Sequence, residues 1–209
     1  KSYVKTCYYT CKCRFPESGL PLGYLNNAER IVCCDGSVVK LLEYGLEPWA
    51  IAGDLDSVPD KLKEKYADRL YQSDDQETND LTKAVRFCVV KGIKDIVILG
   101  ATGLREDHTL GNISLLSDYA ESISAKMVTD YGIFIPVKPG MSISSWPGQQ
   151  VSIFAVDKGM HISSENLKFP LNNMELKNWW MGTLNECTGD HFSLSFRDGR
   201  VLVFLEIPT

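Results

Sequence analysis

Histidine is scarce in this chain, clusters of basic residues are absent, and no apolar run approaches the length of a membrane span. Each shortage removes a class of protein. The three histidines, His108, His161 and His191, lie too far apart in sequence to suggest a His-based metal centre. Lys and Arg number 22 against 27 Asp and Glu, and they are dispersed, so the basic stripe of a nucleic-acid binder is missing. A bilayer-crossing helix needs about 20 predominantly apolar residues in a row, and no such run occurs. No secretory leader opens the chain, and a cytosolic protein is the expectation. Neither a G-x-x-x-x-G-K-[ST] loop nor a G-x-G-x-x-G fingerprint is present, so any nucleotide would be held chiefly by metal, arginine and backbone.

Cysteine is plentiful, but the seven at Cys7, Cys11, Cys13, Cys33, Cys34, Cys88 and Cys187 form an odd set without secretory context, which favours reduced thiols. Cys7, Cys11 and Cys13 have no second Cys or His pair at zinc-ligand spacing. The rest of the composition is that of an ordinary globular protein. With 209 residues, 44% of them hydrophobic and a net charge of −5, the chain can build one large domain or two small ones without disulfide support.

Up to about Val137, short apolar runs alternate with helical periodicity, the pattern of an α/β domain with a mainly parallel sheet. Runs at 31–34, 49–52, 96–99, 127–128 and 133–137 predict strands. Leu81, Ala84, Val85, Cys88 and Val89 recur at three and four residues and predict a helix over 79–90, capped by Thr78 or Asn79. Leu110, Ile113, Leu116 and Ala120 predict another helix opening near Asp107, whose carboxylate would meet the positive end of the helix dipole. Beyond Pro139-Gly140 the pattern changes to short strands at 150–156, 160–163, 175–176, 191–196 and 201–207. Asp198-Gly199 predicts a hairpin between the last two. The expected division is an α/β domain over 1–138 and a small β-sandwich domain over 139–209.

Chemistry concentrates in four loops. Gly53-Asp54-Leu55-Asp56-Ser57 follows an apolar run, so both carboxylates can enter one crevice, where a hard cation would offset their repulsion. Asp74-Asp75-Gln76-Glu77-Thr78-Asn79-Asp80 precedes a predicted helix, and Gly100-Ala101-Thr102-Gly103-Leu104-Arg105-Glu106-Asp107-His108 follows another apolar run. In Cys34-Asp35-Gly36-Ser37 the glycine permits close backbone approach, and a helix starting near Ser37 offers free amides to an anion. Open α/β sheets bind ligands outside the carboxyl ends of their strands. The Arg105 fork suits phosphate oxygens or an ion pair with Glu106 or Asp107, and Asn112, one helical turn beyond His108, could line the same cleft. Any one loop reads equally well as a cap or turn. Together they outline a metal and phosphate site.

The order and spacing of Asp35-Gly36, the G-D-L-D-S of 53–57, the D-Q-E-T-N-D-L-T-K of 75–83 and the G-L-R-E-D-H-T-L-G-N of 103–112 resemble the thiamine pyrophosphokinase family. Asn166-Leu167-Lys168-Phe169-Pro170-Leu171 resembles that family's G-L-K-Y-P-L, and Gly182-Thr183-Leu184-Asn185-Glu186 stands where it carries S-T-S-N-E. The resemblance implies transfer of the diphosphoryl group of ATP to the hydroxyl of thiamine, with Mg²⁺ required. It also implies an α/β domain, a β-sandwich domain and a homodimer with active sites between subunits. On this resemblance Asp54, Asp56 and Asp80 are the metal and catalytic carboxylates, and Arg105 acts on the phosphates. Asp35, Gly36, Arg105, Asp107, His108 and Asn112 attend the nucleotide, and Gln76, Asp80, Phe169, Thr183 and Asn185 contact thiamine.

The chain departs from the family pattern in three places. Cys7-Tyr8-Tyr9-Thr10-Cys11-Lys12-Cys13-Arg14-Phe15-Pro16 carries Arg14 where an acid precedes Phe-Pro. Leu184 replaces a hydroxyl residue, and Phe169 replaces Tyr. Two other readings remain open at this stage: a Mg²⁺-dependent phosphohydrolase or nucleotide-sugar transferase, and a non-catalytic thiamine-binding protein.

Overall fold

The computed structural model describes residues 6–9, 14–16 and 19–208, so Cys11 and Cys13 of the departing loop lie outside the described residues. Contacts divide the chain into two units, Lys1–Asp130 and Tyr131–Thr209. That division precedes the expected 138/139 boundary, because the strand expected over 133–137 pairs along its whole length with the last strand of the second unit.

In the first unit β1 (Thr6–Tyr9), β2 (Arg30–Cys34), β3 (Ala50–Gly53), β4 (Leu70–Gln72), β5 (Asp95–Leu99) and β6 (Ser124–Val128) form a sheet in the order β6-β5-β1-β2-β3-β4. All five pairings within it are parallel. Parallel strands are covered on both faces, which is why β2, β3 and β5 read as unbroken apolar runs. Crossover helices supply the cover: α1 (Gly19–Asn26), α2 (Val38–Glu43), α3 (Asp60–Lys65), α4 (Asp80–Val90) and α5 (Glu106–Tyr119). Asn79 caps α4, its Oδ1 accepting the Thr82 N–H at 2.9 Å, and Leu81, Ala84, Val85 and Cys88 form the buried stripe. Strand order reverses at β1, with β2 to β4 on one side and β5 and β6 on the other. Such a reversal opens a crevice at the carboxyl ends of the strands. The loops bearing Asp35, Asp54, Asp80 and Arg105 all leave those ends. No helix among the described residues is long and apolar enough to cross a membrane.

The second unit is β-rich. It holds β7 (Gly132–Val137), β8 (Ser142–Ser144), β9 (Gln150–Ala155), β10 (His161–Glu165), β11 (Met174–Glu175), β12 (Asn185–Glu186), β13 (His191–Ser195) and β14 (Val201–Glu206). The antiparallel orders are β12-β9-β14-β7 and β11-β10-β13-β8. Inward residues of both sets, among them Ile153, Val203, Ile162, Phe192 and Leu194, share one core. The hairpin expected at Asp198-Gly199 does not form. Both edges of β14 are already bonded to β7 and β9, and those of β13 to β10 and β8, so the turn carries the chain from one set of strands to the other.

Candidate active site

Two glycines bring the acid loops of the first unit together. A Cβ on Gly36 would lie 2.9 Å from both Cβ and O of Ser57, so only glycine lets the turn after β2 touch the turn after β3. Gly53, at φ +156°, has no Cβ to press on Asp35, whose own Cβ would be 3.0 Å away, and Asp80 Oδ1 would be 3.4 Å away. The strands therefore end in contact. Asp35 and Leu55 adopt φ of 47° and 68°, a left-handed backbone that costs a non-glycine residue energy and collects at functional sites.

Asp35 is 3% exposed; its Oδ2 accepts the Ser57 N–H at 3.3 Å, and its Oδ1 is buried without a hydrogen-bond partner. Asp54 accepts the Asp56 N–H at 3.1 Å, while Asp80 opens α4. Lys83, also 3% exposed, lies beside both, its Nζ 3.8 Å from Asp54 Oδ2 and 3.5 Å from Asp80 Oδ1. Burial holds the Asp80 carboxyl above the ordinary carboxylate range, the neighbouring charge of Asp54 adds to this, Lys83 opposes it, and Asp35 adds again. The acids facing one another are thus Asp35, Asp54 and Asp80. Asp56, expected with them, is exposed, and its described bond comes from its backbone N–H.

Ahead of α4 the Asp75 carboxylate accepts from Glu77 N at 2.9 Å, Thr78 Oγ1 at 2.9 Å and Arg86 Nη1 at 2.6 Å. The Glu77 N–H foremost, with the other two donors, holds its pKa below the ordinary value. Gln76 is exposed on this pinned loop. A cleft of about 710 Å³ opens alongside, lined by Tyr71, Asn79, Thr82, Arg86 and Tyr119 among others.

Arg105 directs its fork at Asp107, Nε donating to Oδ1 at 3.0 Å and Nη2 to Oδ2. The His108 N–H reaches Asp107 Oδ1 at 2.8 Å. Asp107 therefore orients both Arg105 and the start of α5. The buried Asn112 amide donates to Ala101 O at 2.9 Å, and its Oδ1 accepts from Asn79 Nδ2 at 3.2 Å, so it joins α5 to the loop after β5 and to the cap of α4.

On the second unit the expected residues form their own group. Asn185 is buried and clamps Phe169, its Nδ2 donating to Phe169 O at 2.7 Å and its Oδ1 accepting Phe169 N–H at 3.1 Å. The clamp leaves the Phe169 ring outward. Thr183 Oγ1 donates to Trp180 O at 2.7 Å, and Trp180, Leu184 and Phe169 are all exposed large apolar residues. A separate cavity of about 720 Å³, lined by His161, Arg197 and Asp198 among others, contains none of the expected site residues.

Carboxylate oxygens are hard donors that suit Mg²⁺, and the partnerless Asp35 Oδ1 adds one aimed at no protein group. Among the described residues no group of three or more His, Cys, Asp or Glu stands ready to enclose a metal ion. The residues still fit Mg²⁺, which takes carboxylate oxygens together with water and substrate phosphates rather than an all-protein cage. Sequence reasoning passed over Lys83 as a site residue, although Asp80 and Lys83 at i and i+3 signalled that the two would meet on α4.

Comparison with known proteins places the chain in one family. The family model described as thiamin pyrophosphokinase, catalytic domain, matches residues 22–128, and that of the thiamin pyrophosphokinase substrate-binding domain matches 132–204. Thiamin pyrophosphokinase 1 of Caenorhabditis elegans is 28% identical over 194 residues, covering 82% of this chain and 79% of that protein. Thiamine pyrophosphokinase of Bacillus subtilis (strain 168) is 29% identical over 163 residues, covering 74% and 76%. A crystal structure of thiamine pyrophosphokinase from Bacillus subtilis superposes with a TM-score of 0.78 at 24% identity, over 98% of this chain and 100% of that one, and shows the shared fold.

Proposed function

Since the chain belongs to the thiamin pyrophosphokinase family, we propose that it transfers the diphosphoryl group of ATP to the hydroxyl of thiamine, giving thiamine diphosphate and AMP. The observation that carries this reading is the meeting of Asp35, Asp54 and Asp80 around buried Lys83 at the carboxyl ends of parallel strands. The thiamine hydroxyl oxygen attacks the β-phosphorus, the bond from that phosphorus to the α-phosphate oxygen breaks, AMP departs, and the hydroxyl proton is released. Negative charge grows on the phosphate oxygens and the leaving group, and fixed cationic groups aimed there lower the barrier.

In this proposal Asp54, Asp56 and Asp80 hold Mg²⁺ and position the phosphates, with Asp35 beside them. Mg²⁺, when bound, offsets charge on the phosphate oxygens. Arg105 reaches the phosphates from the start of α5, and Asp107 keeps its guanidinium aligned. Gly36, His108 and Asn112 shape the nucleotide side. Gln76, Asp80, Phe169, Thr183 and Asn185 contact thiamine, the Phe169 ring offering a face to a flat cation. A homodimer and a cytosolic location belong to the same proposal.

The test is AMP formation by the purified protein with ATP, Mg²⁺ and thiamine, thiamine being omitted from the control. Thiamine-dependent AMP with thiamine diphosphate on chromatography is expected. Release of inorganic phosphate without AMP would instead identify a phosphohydrolase, and thiamine binding without product a non-catalytic binder.

A further inference from the structure

Lys83 is a lysine where the packing of α4 calls for an apolar side chain. It lies within the buried stripe of Leu81, Ala84 and Val85 and is itself 3% exposed. A leucine would fill such a place without the several kcal/mol that a buried ammonium costs when nothing faces it. What faces it is Asp54 from the loop after β3, and Asp80 from its own helix. The separations of 3.8 and 3.5 Å exceed ordinary hydrogen-bond length. The ammonium therefore balances charge without closing on either carboxylate at short hydrogen-bond length. Three acids, Asp35, Asp54 and Asp80, against one lysine leave the cluster at a formal charge of −2 (−3 + 1).

We propose that Lys83 is a positioning residue, an internal counter-ion that holds the Asp54 and Asp80 carboxylates in place and limits how strongly the acid cluster attracts a divalent cation before nucleotide arrives. The inference rests on the proposed diphosphoryl transfer and gives a role to a residue to which that reading assigned none. Without the ammonium three carboxylates repel one another across the meeting point of the β2, β3 and α4 loops. Their side chains then separate, and a free cation is drawn in ahead of the metal–nucleotide complex. With it, the cluster is only partly compensated, so cation and phosphates bind together.

The experiment uses Mn²⁺ as the probe, its free-ion electron paramagnetic resonance signal reporting binding to the whole chain without nucleotide or thiamine. Lys83→Met is expected to bind Mn²⁺ at least tenfold more tightly than the unaltered protein, and Lys83→Arg within about threefold of it. Thiamine-dependent turnover should fall at least a hundredfold in the Met variant, with the KM for thiamine little changed. Unchanged or weaker Mn²⁺ binding by folded Lys83→Met overturns the proposal. If that variant does not fold, the charge-balanced Lys83→Met/Asp80→Asn protein should recover stability, because it removes an acid left uncompensated. A double variant no more stable than the single one also overturns it. The Mn²⁺ measurement does not use thiamine, so failure of the proposed reaction would be seen separately, as missing AMP in the unaltered protein.

Discussion

Asp107 accepts two hydrogen bonds from Arg105 and one from the His108 N–H. These donors, Arg105 foremost, hold its carboxyl at about 2, below the ordinary 3.8. The charged form is the one favoured by folding. The stabilisation is therefore complete above the ordinary value and is lost as pH falls through about 2. The pair is exposed to solvent, so salt weakens it. Carboxyl carbon NMR is expected to give a midpoint near 2 for Asp107, rising toward the ordinary value in Arg105→Gln but staying below it, because the His108 N–H remains. An ordinary midpoint in the unaltered protein would mean that Arg105 is not held by Asp107 in solution. At this scale the sequence singled out Asp54 and Asp80 by their spacings, and the fold brings the two together beside Lys83. The sequence did not separate Asp56, which is exposed, from Asp35, which is buried, because burial depends on which loops touch.

α4 links sequence pattern to site more directly than any other element. Its apolar spacing placed it within one residue, and Asn79 caps it as expected. The cap has a second bond that no local pattern showed, from Asn79 Nδ2 to Asn112 Oδ1. Asn79→Ala is expected to destabilise the protein by about 1–2 kcal/mol, from the lost cap and the lost bond to Asn112. The melting temperature should drop by a few degrees and turnover roughly tenfold, since Asp80 is the next residue. A melting temperature within experimental error of the unaltered protein would show that solvent replaces both bonds. Elements of weak local signal escaped prediction. β8, β12 and the 3-10 turn at Trp179–Gly182 are too short for a period to show. The misread hairpin at Asp198-Gly199 has good turn chemistry, but turn chemistry does not choose among strand edges.

At the scale of the whole molecule, the second unit presents Phe169 at 61%, Leu184 at 70% and Trp180 at 72% exposure. They are locally connected: Thr183 bonds Trp180, Leu184 adjoins Asn185, and Asn185 clamps Phe169. Grouped apolar residues of this size on a surface mark a place of contact with a ligand or another chain. The proposed homodimer predicts a sedimentation-equilibrium mass twice the 23.4 kDa of one chain. Trp180→Glu/Leu184→Glu should shift the population toward monomer. A monomer in the unaltered protein, at concentrations of tens of micromolar, would remove the dimer from the proposal.

The amino-acid sequence by itself determined the α/β unit followed by a β-rich one, the acid-bearing loops at strand ends, and the family the chain belongs to. Those features are local: apolar period, cap chemistry and residue spacing are written within a few turns of chain. Tertiary structure decided what depends on contact between distant segments. It set the division at Asp130 through the pairing of β7 with β14. It gathered Asp35, Asp54 and Asp80 through the close approach that Gly36 and Gly53 permit. It also turned Lys83, one polar residue in an amphipathic helix, into a buried counter-ion, because the loop after β3 brings Asp54 over that face of α4.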